Sequence, residues 1–110
     1  MMTAAIPDLP KPPEIVLPLC ARKIVKAVSA AYEVRTAELY GPLRTARLVR
    51  PRQVAMYLIR RQTKLSLPQI GMILNRDHTT VIHGIKRVTD LLETEAEFRE
   101  FIEEMTAKLA

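Results

Sequence analysis

Arg76-Asp77-His78-Thr79-Thr80-Val81-Ile82-His83 is the stretch that decides how the rest of this 110-residue chain is read. Behind it, Val81, Ile85, Val88 and Leu92 recur at spacings of four, three and four residues, which is one apolar stripe on a helix. Asp77 stands at the entrance. Its side chain is expected to cap orphan backbone N–H groups, and its charge suits the positive end of the helix dipole. Arg76, His78, Thr79 and His83 fall mostly off the stripe. The spacing predicts a helix from residue 77 or 78 to 92 whose N-terminal side chains are free while its body packs. That is the layout of a helix that reads base edges in a DNA groove.

Working upstream, Asn75-Arg76 reads as a tight turn, because Asn tolerates the left-handed conformation. Ser66 followed by Gln69 is a capping box, and Pro68 is tolerated in the first helical turn. These signals predict a short helix over 67–74, apolar on Leu67, Ile70, Ile73 and Leu74. Two short-linked helices of this kind make a helix-turn-helix. Before them, Pro51 is an apt first-turn residue and predicts a helix over 51–62. It would bury Val54, Ala55, Leu58 and Ile59 and turn Arg52, Gln53, Arg60 and Arg61 to other faces. Residues 42–50 then read as a loop carrying Arg44, Arg47 and Arg50. Thr36 is expected to cap a helix over 37–40 that ends at Gly41-Pro42. A first helix over 19–33 has Ile24, Val25, Val28 and Tyr32 on its core stripe. Downstream, Thr94 and Glu97 suggest a second capping box, opening a last helix striped by Phe98, Phe101, Ile102, Met105 and Leu109.

The expected architecture is all-α, about six helices over 19–110, preceded by a tail over 1–18. Pro7, Pro10, Pro12, Pro13 and Pro18 exclude helix from that tail. Aromatics make up 5% of the chain and Trp is absent, so the core must be aliphatic. Three Gly and few hairpin signals argue against an all-β fold. Net charge is +5 and unevenly spread. From 22 to 64 there are eleven Lys/Arg against Glu33 and Glu38, whereas from 89 to 110 seven acids face Arg99 and Lys108. A basic flank of this kind points to a polyanionic partner.

Other function classes find little support. Cys20 is alone, which argues against a disulfide framework and for a reducing cytoplasm. No apolar run is long enough to span a membrane, and no signal-peptide pattern opens the chain. His78 and His83 lie roughly 140° apart around a helix, a poor arrangement for shared metal ligation. No phosphate-cradling Gly-x-x-x-x-Gly-Lys-Ser/Thr loop is present. No catalytic constellation or cofactor motif is visible, so the chain is not expected to be an enzyme.

Three ordered stretches carry a family resemblance: Arg76 to His83 as quoted, Pro51-Arg52-Gln53-Val54-Ala55-Met56-Tyr57-Leu58, and Ser66-Leu67-Pro68-Gln69-Ile70-Gly71. Together they resemble the C-terminal DNA-binding domain (domain IV) of the bacterial replication initiator DnaA, a helix-turn-helix of TrpR-like fold. The likeness runs from about residue 24 to 109. It implies double-stranded DNA as partner, at sites like the asymmetric DnaA box, which would suit a monomer. Base contacts are implied for Asp77, His78 and Thr79 in the major groove and for Arg44 in the minor groove, with Arg47 the alternative. Phosphate contacts are implied for Arg52, Gln53, Arg60, Arg76, Thr80 and His83, and at Leu67 and Pro68 where a helix N-terminus offers its N–H groups.

The chemistry of these residues agrees with such roles. Thr methyls meet thymine methyls, Asp accepts from the cytosine amine, and Arg suits a narrow minor groove. Solvated surface charge is as good a reading as contact for Arg61 and Lys64. Two departures from the family stand out. A single Asn75 replaces a Gly-Gly pair, which is expected to rotate the fifth helix against the fourth. Gly84 replaces a usual Ala, at a helix-propensity cost of about 1 kcal/mol, and is expected to permit closer approach to DNA. The chain starts with Met and has its own Pro-rich leader, so it is expected to be a free-standing relative, without the initiator's ATPase domain, that regulates replication initiation or transcription. The alternative from another class is an adaptor whose tail or acidic last helix binds the replication initiator or another replication protein.

Overall fold

In a computed structural model, which describes residues 19–109, the chain forms six helices: α1 (Leu19–Tyr32), α2 (Thr36–Tyr40), α3 (Ala46–Gln62), α4 (Leu67–Leu74), α5 (His78–Thr94) and α6 (Ala96–Leu109). The expectation for 1–18 lies outside the described residues. Helix α3 is the central element and packs against α1, α2, α4 and α5, while α6 covers α5 and α1. Its Val54, Ala55, Leu58 and Ile59 are wholly buried among Val25 and Val28 of α1, Ile70 and Leu74 of α4, and Val81 and Val88 of α5. The core is aliphatic, as the composition requires. The T-shaped contact of Tyr32 with Phe101, at 5.5 Å between centroids, ties α1 to α6.

The helix-turn-helix is α4 and α5. Ser66 Oγ accepts from the Gln69 N–H and Gln69 Oε1 accepts from the Ser66 N–H, so both halves of the capping box form. At the other end Asn75 sits in the left-handed region at φ 59°. The Arg76 N–H donates to Gly71 O at 2.7 Å and the Asn75 N–H to Met72 O at 3.3 Å. These paired bonds are a Schellman closure, with Asn where Gly is commonest. Gly71 is essential to it, because a Cβ there would lie 2.5 Å from Arg76 O. The backbone of the turn crosses directly over residue 71.

Several boundaries differ from the sequence reading. Helix α3 begins at Ala46, five residues before Pro51, so the loop is Gly41 to Thr45 and carries only Arg44. Pro51 lies inside the helix at a cost of about 3 kcal/mol. The extra turn buries Leu48 completely, which returns about 1.5–3 kcal/mol. Arg52 does not face outward but is 5% exposed. Thr36 is the first residue of α2 and not its cap. Arg35 holds that place, and its N–H donates to Glu38 Oε1 at 2.9 Å. Helix α1 stops at Tyr32, with Glu33 left-handed at φ 55°. Thr94 ends α5 instead of capping α6, and its hydroxyl bonds back to Asp90 O.

Gly71→Ala should destabilise the domain by about 1–3 kcal/mol, despite the better helix propensity of Ala, because the obstructing atom is backbone. Urea denaturation followed by circular dichroism reads this directly. An unchanged midpoint would mean that the turn can move away.

Candidate nucleic-acid interface

Helix α5 places Asp77, His78 and Thr79 at its exposed tip. Asp77 has the extended backbone of an N-cap residue, φ −66° and ψ 148°, yet its side chain makes no capping hydrogen bond. This corrects the expectation that it caps. The carboxylate is 69% exposed, with Oδ1 3.7 Å from His78 Nδ1, and His78 is itself 55% exposed. Both side chains therefore keep their donors and acceptors for a ligand. Thr79 and Thr80 are exposed beside them.

Beside the tip lies a cleft of about 380 Å³ between α3, α5, the α2–α3 loop and the α4–α5 turn. Arg44, Arg52, Gln53, Arg76, Thr80 and His83 line it, over a floor that includes Met56 and Gly84. The structure thus brings together most of the residues singled out from sequence. Three lie neither at the α5 tip nor in the cleft. Arg60, exposed near the end of α3, donates from Nη1 to Leu65 O at 3.1 Å. Leu67 is half-buried against the core and Pro68 is exposed, both in the first turn of α4.

The arginines differ in their freedom. Arg52 donates from Nε to Leu39 O at 3.2 Å, and from Nη2 to Glu38 O at 2.7 Å and Gly41 O at 3.1 Å. Arg76 donates from Nη1 to Leu74 O and Asn75 O, and from Nη2 to Gly41 O at 2.8 Å. Burial lowers the pKa of each below the ordinary arginine value. Proximity to Arg76 adds to this for Arg52, and proximity to Arg44 adds to it for Arg76. Among the described residues no carboxylate lines the cleft. Arg47, the alternative to Arg44, is on the first turn of α3 and pairs with Glu38. The Glu38 carboxyl is held below its usual range, first by the Arg35 N–H and also by Arg47. Arg50 leaves the group altogether, with its guanidinium 6.0 Å from the Phe98 ring centroid.

Gly84 is buried on the side of α5 that faces α3. A Cβ there would lie 2.6 Å from Met56 Sδ and 3.4 Å from Gln53 Cγ, so the missing methyl lets α5 approach α3. Sequence reasoning also missed Gly41, which it treated only as a helix terminator. Its carbonyl accepts from both Arg52 and Arg76. A Gly-Pro pair standing between two arginine-rich segments was the only signal, and it is a weak one.

Comparison with known proteins places this arrangement. The family model of the bacterial DnaA protein helix-turn-helix matches residues 21–88. The chain belongs to that family. Over 87 residues it is 46% identical to the chromosomal replication initiator protein DnaA of Oenococcus oeni, and over 86 residues 43% identical to that of Ruegeria pomeroyi. These matches cover 78% and 77% of this chain but 19% and 18% of the relatives. The chain therefore spans about a fifth of the length of the curated relatives it matches. A solved crystal structure of a DNA replication initiation factor matches 82% of this chain and 28% of its own, with a TM-score of 0.73 and 30% identity. The six-helix fold is thus that of the DnaA C-terminal domain. The family match ends at residue 88, inside α5, so the acidic α6 lies outside it.

The two N-caps of this DnaA-type helix-turn-helix should respond differently to truncation. Ser66→Ala removes a formed capping bond and should cost about 1 kcal/mol. Asp77→Ala removes none and should cost no more than about 0.5 kcal/mol, as for an ordinary surface position. Equal losses in chemical denaturation would mean that Asp77 does cap α5 in solution.

Proposed function

We propose that this chain binds double-stranded DNA sequence-specifically at DnaA-box-like sites and acts in the control of chromosome replication initiation, without ATPase activity of its own. The observation that carries this reading is the pairing of uncommitted side chains at the tip of α5 with an adjoining cleft of three arginines and no lining carboxylate. In this reading α5 enters the major groove. Asp77, His78 and Thr79 read base edges, and Arg44 reaches the adjacent minor groove from the α2–α3 loop. Gln53, Arg60, Thr80 and His83 hold phosphates, as do the N–H groups at the start of α4 by Leu67 and Pro68. Arg52 and Arg76 contribute positive charge from within the cleft. One monomer suits one asymmetric site.

Fluorescence anisotropy with a duplex carrying a DnaA box, against a scrambled duplex at near-physiological salt, tests the proposal. Tight binding to the box alone is the expected result. Equal binding to both, lost as salt rises, would mean electrostatic attraction without readout. Asp77→Ala or His78→Ala should lower discrimination by roughly 1–3 kcal/mol. Arg60→Ala should weaken all sequences about equally and flatten the salt dependence. If both kinds of variant behave alike, the division between reading and positioning is wrong.

A further inference from the structure

The two elements assigned to the two grooves are separate in sequence, yet they meet at one atom. Gly41 O accepts from Arg76 Nη2 at 2.8 Å and from Arg52 Nη2 at 3.1 Å. Arg76 directly precedes Asp77, His78 and Thr79, and its Nη1 also bonds the Leu74 and Asn75 carbonyls of the α4–α5 turn. Gly41 opens the loop that carries Arg44 three residues later. The Arg52 guanidinium reaches the same carbonyl from the centre of α3, and also binds Leu39 O and Glu38 O. A Cβ at residue 41 would lie 2.9 Å from Ala37 O, so a side chain there would push the carbonyl-bearing backbone out of place.

We propose that the Gly41 carbonyl is a latch, through which Arg76 and Arg52 fix the Arg44 loop at a set position relative to α5, so that minor-groove and major-groove readout are registered to each other. The inference rests on the DNA-reading function proposed above. It makes Arg76 and Arg52 positioning residues for Arg44, in addition to any charge they present to the backbone. A bond between backbone carbonyl and guanidinium suits this task. Partial burial strengthens it, and the planar fork of Arg bonds several carbonyls in one fixed geometry, which Lys cannot do.

The test isolates the minor groove. Each A·T pair of the box is replaced in turn by inosine·cytosine and by G·C. These two replacements differ only in the minor-groove amine, so the ratio of their affinities measures minor-groove reading at that position. The wild-type protein should show a ratio of several-fold at one end of the box, and Arg44→Ala should abolish it. Gly41→Ala, which keeps every charge, should bring the ratio to within twofold of unity while leaving the salt dependence of binding unchanged. Arg76→Lys, checked for folding by thermal denaturation, should do the same to the ratio. Neither change should alter the ratio further in the Arg44→Ala background. Wild-type ratios in Gly41→Ala and Arg76→Lys would overturn the latch, and so would a wild-type protein that prefers the box but shows no minor-groove ratio anywhere. A wild-type protein that does not prefer the box to a scrambled duplex would instead overturn the proposed function itself.

Discussion

What α5 can offer at its tip depends on its opposite face being buried against α3. Val81 and Val88 are wholly buried there, and Gly84 brings the two helices close enough that a methyl group would strike Met56. Each buried valine is worth about 1.5–3 kcal/mol. That contact holds in place a helix that would be marginal alone in water. The same contact sets the width of the cleft, since Gln53 and Met56 on α3 face Thr80, His83 and Gly84 on α5. A glycine inside a helix lowers its propensity by about 1 kcal/mol. Here that loss accompanies a closer helix pair and a defined groove beside the exposed tip of α5.

Charge is arranged with the same economy of contacts. Arg44, Arg52 and Arg76 share the cleft, and for Arg52 and Arg76 burial first, and then the neighbouring arginine, works against the charged state. Backbone carbonyls accept from buried Arg52 and half-buried Arg76 but bring no negative charge. A buried cation that is hydrogen-bonded yet unpaired remains a source of positive potential. The acids of residues 89–110 sit on α5, on α6 and, for Glu95, between them, and none lines the cleft. The described domain is therefore polarised, with one face drawing a polyanion and the other repelling it.

The sequence was most legible where the physics is local. Ser66 with Gln69, and Asn75 at the end of α4, act on atoms within five residues, and both stand as the pattern implies. The stripes of α1, α5 and α6 are also local properties of one helix. The errors fall where a distant partner decided the outcome. Pro51 carries the signal of a helix start, but burial of Leu48 against the core draws one more turn into α3. Arg52 looks like a surface charge, because nothing nearby reveals that three carbonyls from residues 38, 39 and 41 will surround it. Asp77 has the residue type and backbone of a cap without the bond. Capping propensity describes what a side chain can do, and at this position the carboxylate stays in solvent.

The α2–α3 loop shows how such distant contacts bear on recognition. Had residues 42–50 been a nine-residue loop with three arginines, any of them could have reached a groove, and ordering the loop on binding would have cost conformational entropy. In the folded chain only Gly41 to Thr45 lies between the two helices, and Gly41 is already fixed by two arginines. Arg47 is held by Glu38 and Arg50 lies over Phe98, so among the described residues Arg44 is the one of the three without such a partner. Ordering cost met during folding is absent from the binding step. In the proposed reading, Arg52 and Arg76 serve recognition less through the charge they carry than through the loop they hold and the exposed Arg44 it presents.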